Sequence, residues 1–493
     1  MKRNNLTTAV LAGLAGVAGL AATANASLYI NPDGTGQVLI YPYYTVNGGN
    51  NTLVSVVNTT DRGKAVKVRF LEGRNSREVL DFNLYLSEFD VWTAAVGAVD
   101  ATGAAILVTS DASCTAPPIP AGGVPFRNFA YAGIDSGPGA LSRTREGHIE
   151  MIEMGEVNND APFTPLTWIT HGAVSGVPAN CGAIVAAWAP GGAWDITRNR
   201  AITAPGGGLF GSASIVNVAD GVMYAYNAEA VDAFSTLANH TNPGSLLPSL
   251  ADAFTTGPST ASSIVFYNGT AVESSWAPAQ AIDAVSSVFM HSALVNEYAL
   301  DDVLLAETEW VVTFPTKRSY VDQASLGAAA PVQPFTRRFP AAGVSTPAAG
   351  RACVDVGLQI FDREERRPGP GGIDFSPPPP DAVGPQLCFE SQVITFDQSE
   401  RAIAGDPSLL LGSSLYTNIQ AADFGFENGW LKLNFASEIL HELRTSDEGN
   451  RFLGLPATGF SISRYINANA EPGKLANYSG LWKHRGERLI LNP

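Results

Sequence analysis

Between Asn51 and Ala95 the chain reads NTLVSVVNTTDRGKAVKVRFLEGRNSREVLDFNLYLSEFDVWTAA, and the two-residue period in this stretch limits what it can fold into. Val66, Val68 and Phe70 alternate with Lys67 and Arg69. Leu80, Phe82, Leu84 and Leu86 alternate with Asp81, Asn83 and Tyr85. A strand sends successive side chains to opposite faces, so this pattern predicts strands with one apolar and one polar face. The link Glu72-Gly73-Arg74-Asn75-Ser76 consists of turn residues and predicts a hairpin. A β-branched run, Leu53 to Val57, precedes the pair, and Asp90-Val91-Trp92-Thr93 opens a fourth strand. Short antiparallel strands at this spacing predict an immunoglobulin-like sandwich. In it Leu80, Phe82 and Leu84 face the core while Asp81 and Asn83 face water.

The first 26 residues read as an export signal. Lys2 and Arg3 form a charged start, Ala9 to Ala22 an apolar run too short to span a bilayer, and Ala24-Asn25-Ala26 a small-x-small cleavage site. The mature chain is expected to begin at Ser27, without a lipid-anchoring Cys, and to be soluble in the periplasm or outside the cell. No other apolar stretch is long enough to predict a membrane span.

Hydrophobic residues are 45% and charged residues 15% of the chain, which describes a folded protein rather than a disordered polyelectrolyte. Its 49 glycines and 32 prolines fit a turn-rich β architecture. The net charge is −16, and loss of Lys2 and Arg3 would take it to −18. Such a charge disfavours nucleic acid and anionic membranes as partners. Cys114, Cys181, Cys353 and Cys388 are an even set in a chain expected to be exported. Of the three possible pairings, Cys114–Cys181 and Cys353–Cys388 is favoured, because neighbours in sequence usually share a domain. The second bridge would enclose the proline-rich loop 363–380.

The rest of the chain predicts a mainly β protein: two antiparallel sandwich regions with long loops and one or two short helices. Residues 27–157 form the first region, closed by the alternating strand Gly147 to Gly155. Residues 158–208 form a Gly/Pro/Trp-containing connection, and 209–493 a larger second sandwich. Asp220-Gly221 marks a tight hairpin. Met290, Leu294 and Tyr298 recur at helical spacing and predict a short helix over 288–305, and a second helix is expected over 437–444. Strands are expected at 308–314, 354–361, 388–396, 430–435 and 459–466.

Chemistry-bearing patterns are sparse. The chain contains no G-x-S-x-G, H-E-x-x-H, Walker or dinucleotide motif. His441-Glu442 lacks the second histidine of a zincin, and Asn31 to Gly36 lacks the acids of a calcium loop. The best carboxylate–imidazole cluster is His148, Glu150 and Glu153 on one strand, a weak candidate for metal binding or acid–base work against the alternative of a solvated strand face. Trp168, Trp188 and Trp194 could contact a glycan or could form a satellite core under a loop. No cofactor is expected. Sequons at Asn50, Asn58, Asn239, Asn268 and Asn477 would matter only in a glycosylating host.

Two patches, AVKVRFLEGRNSREVLDFNLYLSEFDVWTA and TEWVVTFPTKR, resemble segments of uncharacterised signal-bearing proteins of Gram-negative bacteria. The resemblance implies an exported β-rich protein and brings no catalytic residues with it. The resulting expectation is an exported, non-enzymatic surface, structural or adhesion protein that binds other surface proteins or glycans. The alternative is a secreted, polysaccharide-directed hydrolase.

Overall fold

The computed structural model describes residues 27–100, 102–255, 260–301, 303–327, 333–367, 385–396, 406–419, 426–436, 441–467, 471, 474 and 476–491. The expected signal 1–26, most of the proline-rich loop and residues 437–440 lie outside them. The protein is mainly β, with a few short helices.

Fourteen strands build the first lobe: β1 (Tyr29–Ile30), β2 (Val38–Thr45), β3 (Asn50–Asn58), β4 (Gly63–Glu72), β5 (Glu78–Leu86), β6 (Val91–Ala98), β7 (Ala105–Val108), β8 (Cys114–Ala116), β9 (Val124–Pro125), β10 (Glu146–Val157), β11 (Ile202–Thr203), β12 (Leu209–Asn217), β13 (Val222–Asn227) and β14 (Glu229–Asp232). An eight-stranded sheet runs β1-β14-β2-β10-β4-β5-β8, with β11 on β10, and packs on a six-stranded sheet, β13-β12-β3-β6-β7-β9. Thus β4 and β5 pair as the expected hairpin, while the flanking β3 and β6 pair with each other in the opposite sheet. Val66, Val68, Phe70, Phe82, Leu84, Ile149 and Met151 from one sheet share a core with Val54, Val56, Trp92, Ala213 and Ile215 from the other. The sheets approach closely at Gly211. A Cβ there would lie 1.8 Å from the Tyr41 hydroxyl, which donates to the Ser55 carbonyl at 2.7 Å.

Two expectations about this lobe need correction. Strands β12 to β14 complete it, so no lobe boundary falls at residue 209. Strand β10 does not close the sandwich; it lies between β2 and β4 in the middle of the larger sheet. Both are long-range pairings, and local alternation says which residues share a face but not which strand lies alongside.

Residues 158–208 carry three short helices, α1 (Pro165–Ile169), α2 (Cys181–Ala187) and α3 (Ala193–Ile196). They pack Ile169, Ile184 and Trp194 on Ala65, Tyr85 and Met154. Cys181 at the start of α2 is bonded to Cys114 on β8.

The second lobe has a hairpin, β15 (Ala261–Tyr267) and β16 (Thr270–Trp276), then α4 (Ala281–Phe289). Its remaining main strands are β17 (Ala293–Ala299), β18 (Ala306–Thr313), β19 (Gly357–Asp362), β20 (Ser391–Phe396), β21 (Tyr416–Ile419), β22 (Asn428–Asn434), β23 (Thr458–Tyr465), β24 (Tyr478–Lys483) and β25 (Arg485–Glu487). They form a five-stranded sheet, β21-β20-β18-β23-β24, and a four-stranded one, β19-β22-β17-β25. Cys353 is bonded to Cys388. The helix expected over 288–305 is not there: α4 ends at Phe289, and Ala293–Ala299 is a strand between β22 and β25. Met290, Leu294 and Tyr298 are nonetheless buried, because a spacing of four satisfies a two-residue period as well as a helical one. Of the helix expected over 437–444, the described residues 441–444 are not helical.

The lobes share their interiors. Val311, Val393, Phe460 and Ile462 of the five-stranded sheet join the sandwich core, and the Phe460 ring stacks on Tyr226 at 4.9 Å. The polar face of the hairpin is covered as well. Lys67 and Asn83 are fully buried beneath the segment 241–244, donating to the carbonyls of Asn242 and Thr241. Asp81 accepts from the Gly244 N–H at 2.9 Å and pairs with Lys67 at 3.2 Å. The expectation that Asp81 and Asn83 face water is therefore overturned. Both faces of the hairpin should be sensitive to truncation. Phe82→Ala is expected to cost about 3–5 kcal/mol through its cavity, and Asp81→Ala about the same by stranding Lys67. Denaturant melts of the two variants compare the faces; an Asp81→Ala loss below about 0.5 kcal/mol would place that face in water.

Candidate functional site

The β4–β5 turn, Glu72 to Arg77, enters the second lobe and becomes the centre of a buried ionic seam. Glu72 folds the turn around its own carboxylate, accepting from the backbone N–H groups of Arg74, Asn75 and Arg77. The same carboxylate takes a two-pronged grip from Arg143, both bonds at 2.8 Å. Arg143 also holds Asp135 with two bonds, at 2.7 and 2.8 Å. From the second lobe, Asp322 pairs with Arg77 at 2.7 Å and with Arg318 at 3.3 Å. Arg318 donates to the Ser76 carbonyl at 3.0 Å, and Ser76 donates to Glu390 at 2.9 Å. Gly73 supplies its carbonyl to the backbone N–H groups of Glu390 and Ser391. Glu72, Asn75, Ser76, Arg77, Asp135, Arg143, Asp322 and Glu390 are all buried.

The seam continues along the outer face of β4, β5 and β10. Register places Glu150, Arg69 and Asp81 side by side across the three strands. Arg69 bridges Glu150 at 2.6 Å and Glu78 at 2.8 Å. Burial opposes the charge on Arg69, but the two carboxylates outweigh it and hold its pKa above the usual value. Burial raises the Glu150 carboxyl, but Arg69, with His148 and Arg318 adding to it, more than reverses this and leaves Glu150 below its usual range.

His148 lies beside Glu150 on this face, and Glu153 does not join them. The His148 Nε2 is 3.8 Å from Glu150, and its Nδ1 is 3.3 Å from the Ser391 hydroxyl. Three residues on from Glu150, Glu153 falls on the other face of β10, where it pairs with Lys64 at 3.0 Å and accepts from the backbone N–H groups of Gly206 and Gly207. The three-residue cluster expected from sequence is thus split, and no group of three metal-ligating side chains converges among the described residues. The alternative of a solvated strand face fails too, because all three side chains are buried.

The order Ser391–His148–Glu150 resembles a nucleophile–base–acid relay, but its surroundings oppose catalysis. Ser391 and His148 are completely buried. The Ser391 hydroxyl also accepts from Thr313 at 3.1 Å, and Glu150 is committed to Arg69. A neighbouring cavity of about 230 Å³ reaches Arg69, Ser76, Glu150 and Arg318, but its lining does not include the serine or the imidazole. A second arrangement, Ser87–His171–Asp90, brings serine and carboxylate to the same ring nitrogen, at 3.1 and 3.6 Å. A relay needs them on opposite nitrogens.

The tryptophans pack inward. Trp194 is fully buried, stacked on Tyr85 at 5.3 Å, and donates to the Arg200 carbonyl. Trp188 donates to the Tyr85 hydroxyl at 2.8 Å, and that hydroxyl meets His240 Nε2 at 2.9 Å. Trp168 sits edge-on to Phe163. The satellite-core alternative describes this arrangement, and Trp194 has no surface to offer a glycan.

Sequence reasoning treated Glu72 to Ser76 as a plain turn and missed Arg77, Arg143, Glu309, Arg318, Asp322 and Glu390. A signal was present: charges are dense in EGRNSRE, and this stretch meets the segment TEWVVTFPTKR here. Strand β4 and its turn contribute Arg69, Glu72, Ser76 and Arg77, and the segment contributes Arg318, which donates to the Ser76 carbonyl. Glu309 anchors the segment 408–411 across the lobes, accepting from the Leu410 N–H at 2.9 Å, the Leu411 N–H at 3.0 Å and the Ser408 hydroxyl at 3.1 Å. The same segment gives its Leu410 and Leu411 carbonyls to Asn50 and Thr45 of the first lobe.

Compared with known proteins, the chain matches no family model, no curated protein and no solved structure.

Burial pushes the Glu309 carboxyl up to about 7, against the three donors that pull it down. A carboxyl raised on folding favours the folded state below its unfolded value near 4.5, and this advantage is lost as pH rises through 7. Stability should therefore fall by up to about 3 kcal/mol between pH 5 and 8 through this group. Glu309→Gln should remove that slope even if it lowers the baseline. Denaturant melts across the interval check this, and an unchanged slope in the variant would assign the pH dependence elsewhere.

Proposed function

We propose that the chain is an exported, non-catalytic protein of the periplasm or cell surface with a structural or partner-binding role. The observation that carries this reading is the fate of its chemistry-bearing groups. The acids, arginines and histidine that could run a reaction are buried and paired with one another, most of them within the first lobe and Arg77 with Asp322 across the lobes. Two disulfides support a location outside the reducing cytoplasm. No helix among the described residues is long and apolar enough to cross a membrane. The features that prompted the hydrolase expectation lie at opposite ends of β10: the tryptophans pack near Met154, and the imidazole is at His148.

A partner would meet the open face of the six-stranded sheet. There Leu53, Val91, Phe210 and Met223 are exposed around a groove of about 620 Å³ that includes Ser55, Thr93, Ser212 and Ser214. Exposed apolar side chains around a concavity are the usual mark of an interaction surface.

Fractionation of native cells, followed by non-reducing peptide mapping, tests the proposal. The expected result is a chain beginning at Ser27, outside the cytoplasm, with Cys114 joined to Cys181 and Cys353 to Cys388. An unprocessed chain confined to the cytoplasm, or free thiols at these positions in exported material, would refute it.

A further inference from the structure

A cleft of about 320 Å³ opens where the first lobe meets the hairpin and the C-terminal strands. Its apolar walls include Ile264 and Val265 of β15, Val288 and Phe289 at the end of α4, and Leu294. Its polar end is formed by Arg488, Lys483, His291 and His484, with Glu229 facing Lys483.

The charge at this polar end is unbalanced. Lys483 is neutralised by Glu229 at 2.6 Å. Arg488 has no ion-pairing carboxylate among the described residues. It spends N–H groups on the α4 terminus instead, donating to the Met290 carbonyl at 2.8 Å and the Val288 carbonyl at 2.7 Å. Carbonyls at a helix end carry only partial negative charge, so the guanidinium meets no full counter-charge. His291 senses the excess. Burial, then Arg488, Lys483 and His484, press its pKa down to about 3, so the ring is neutral and adds no charge of its own. A partly buried cation lacking a counter-charge, in a protein of net charge −16, calls for an anion from outside.

We propose that this cleft binds a small monocarboxylate with an apolar body, its head against Arg488 and its body along Ile264, Val288 and Phe289. One uncompensated cation selects one negative charge. At ~30 Å³ for each water-sized group the cleft holds about ten non-hydrogen atoms, the size of a medium-chain acid such as octanoate. This assignment goes beyond the structural role proposed above and holds whether or not the chain is exported.

Titration calorimetry on the full chain tests it, with octanoate and uncharged 1-octanol as probes. Octanoate should bind one per chain and 1-octanol at least tenfold more weakly. Lys483→Glu changes the rim by two charge units at an exposed position and should weaken octanoate about tenfold while leaving 1-octanol unchanged. Arg488→Gln should abolish octanoate binding in protein whose thermal melt shows it folded; if loss of the α4 cap unfolds it, Lys483→Glu decides. Failure to bind octanoate, equal binding of the two probes, or an unchanged octanoate affinity in Lys483→Glu would overturn the proposal.

Discussion

The architecture depends on keeping a set of charges paired away from water. Arg69, Arg77 and Arg143 each face two carboxylates within the seam. Taking such groups out of water is expensive, and their mutual attraction repays the cost only with good geometry and filled hydrogen-bonding capacity. The β4–β5 turn meets that condition by using backbone N–H groups as well as side chains. The arrangement is asymmetric in energy: complete, it contributes modestly, whereas removing one partner leaves a buried charge and costs several kcal/mol.

Several further contacts join the lobes. The five-stranded sheet presents Val311, Val393, Phe460 and Ile462 to the sandwich core, and the turn's Gly73 carbonyl holds the start of β20 beside it. The segment 408–415 then fills the junction, with Glu309 on one side and Glu146 on the other, and Glu146 accepts from the Ser414 N–H at 2.9 Å. Gly412 packs against Gly48 so closely that a Cβ on it would fall 2.4 Å from the Gly48 nitrogen. The lobes are thus one folded body in practice, and their cores were never separable along the chain.

Strand identity was legible because it is local. The β4–β5 hairpin, the Asp220-Gly221 turn between β12 and β13, and the strand at 306–313 were all readable from period two and turn chemistry. The helix expected near 290 failed where period two and period four coincide. The tryptophans could be read as ligand platform or as satellite core because an aromatic cluster carries the same composition in either case. The burial of Asp81, Lys67 and Arg69 was illegible for a deeper reason. A charged face alternating with an apolar one has the same sequence whether water covers it or the segment 241–244 does while its charges pair with one another.

From the sequence alone come the β class, the expected export signal, the β4–β5 and Asp220-Gly221 turns and the apolar faces of the strongly alternating strands, since all of these rest on interactions spanning a few residues. Only the tertiary structure decided which strand lies beside which, that residues 209–232 return to the first sandwich, and that the polar face of the hairpin is an interior surface. Those outcomes depend on contacts between residues more than two hundred positions apart, such as Arg77 with Asp322 and Ser76 with Glu390. No local period encodes such contacts, because the free energy that selects them arises only when both surfaces leave water together.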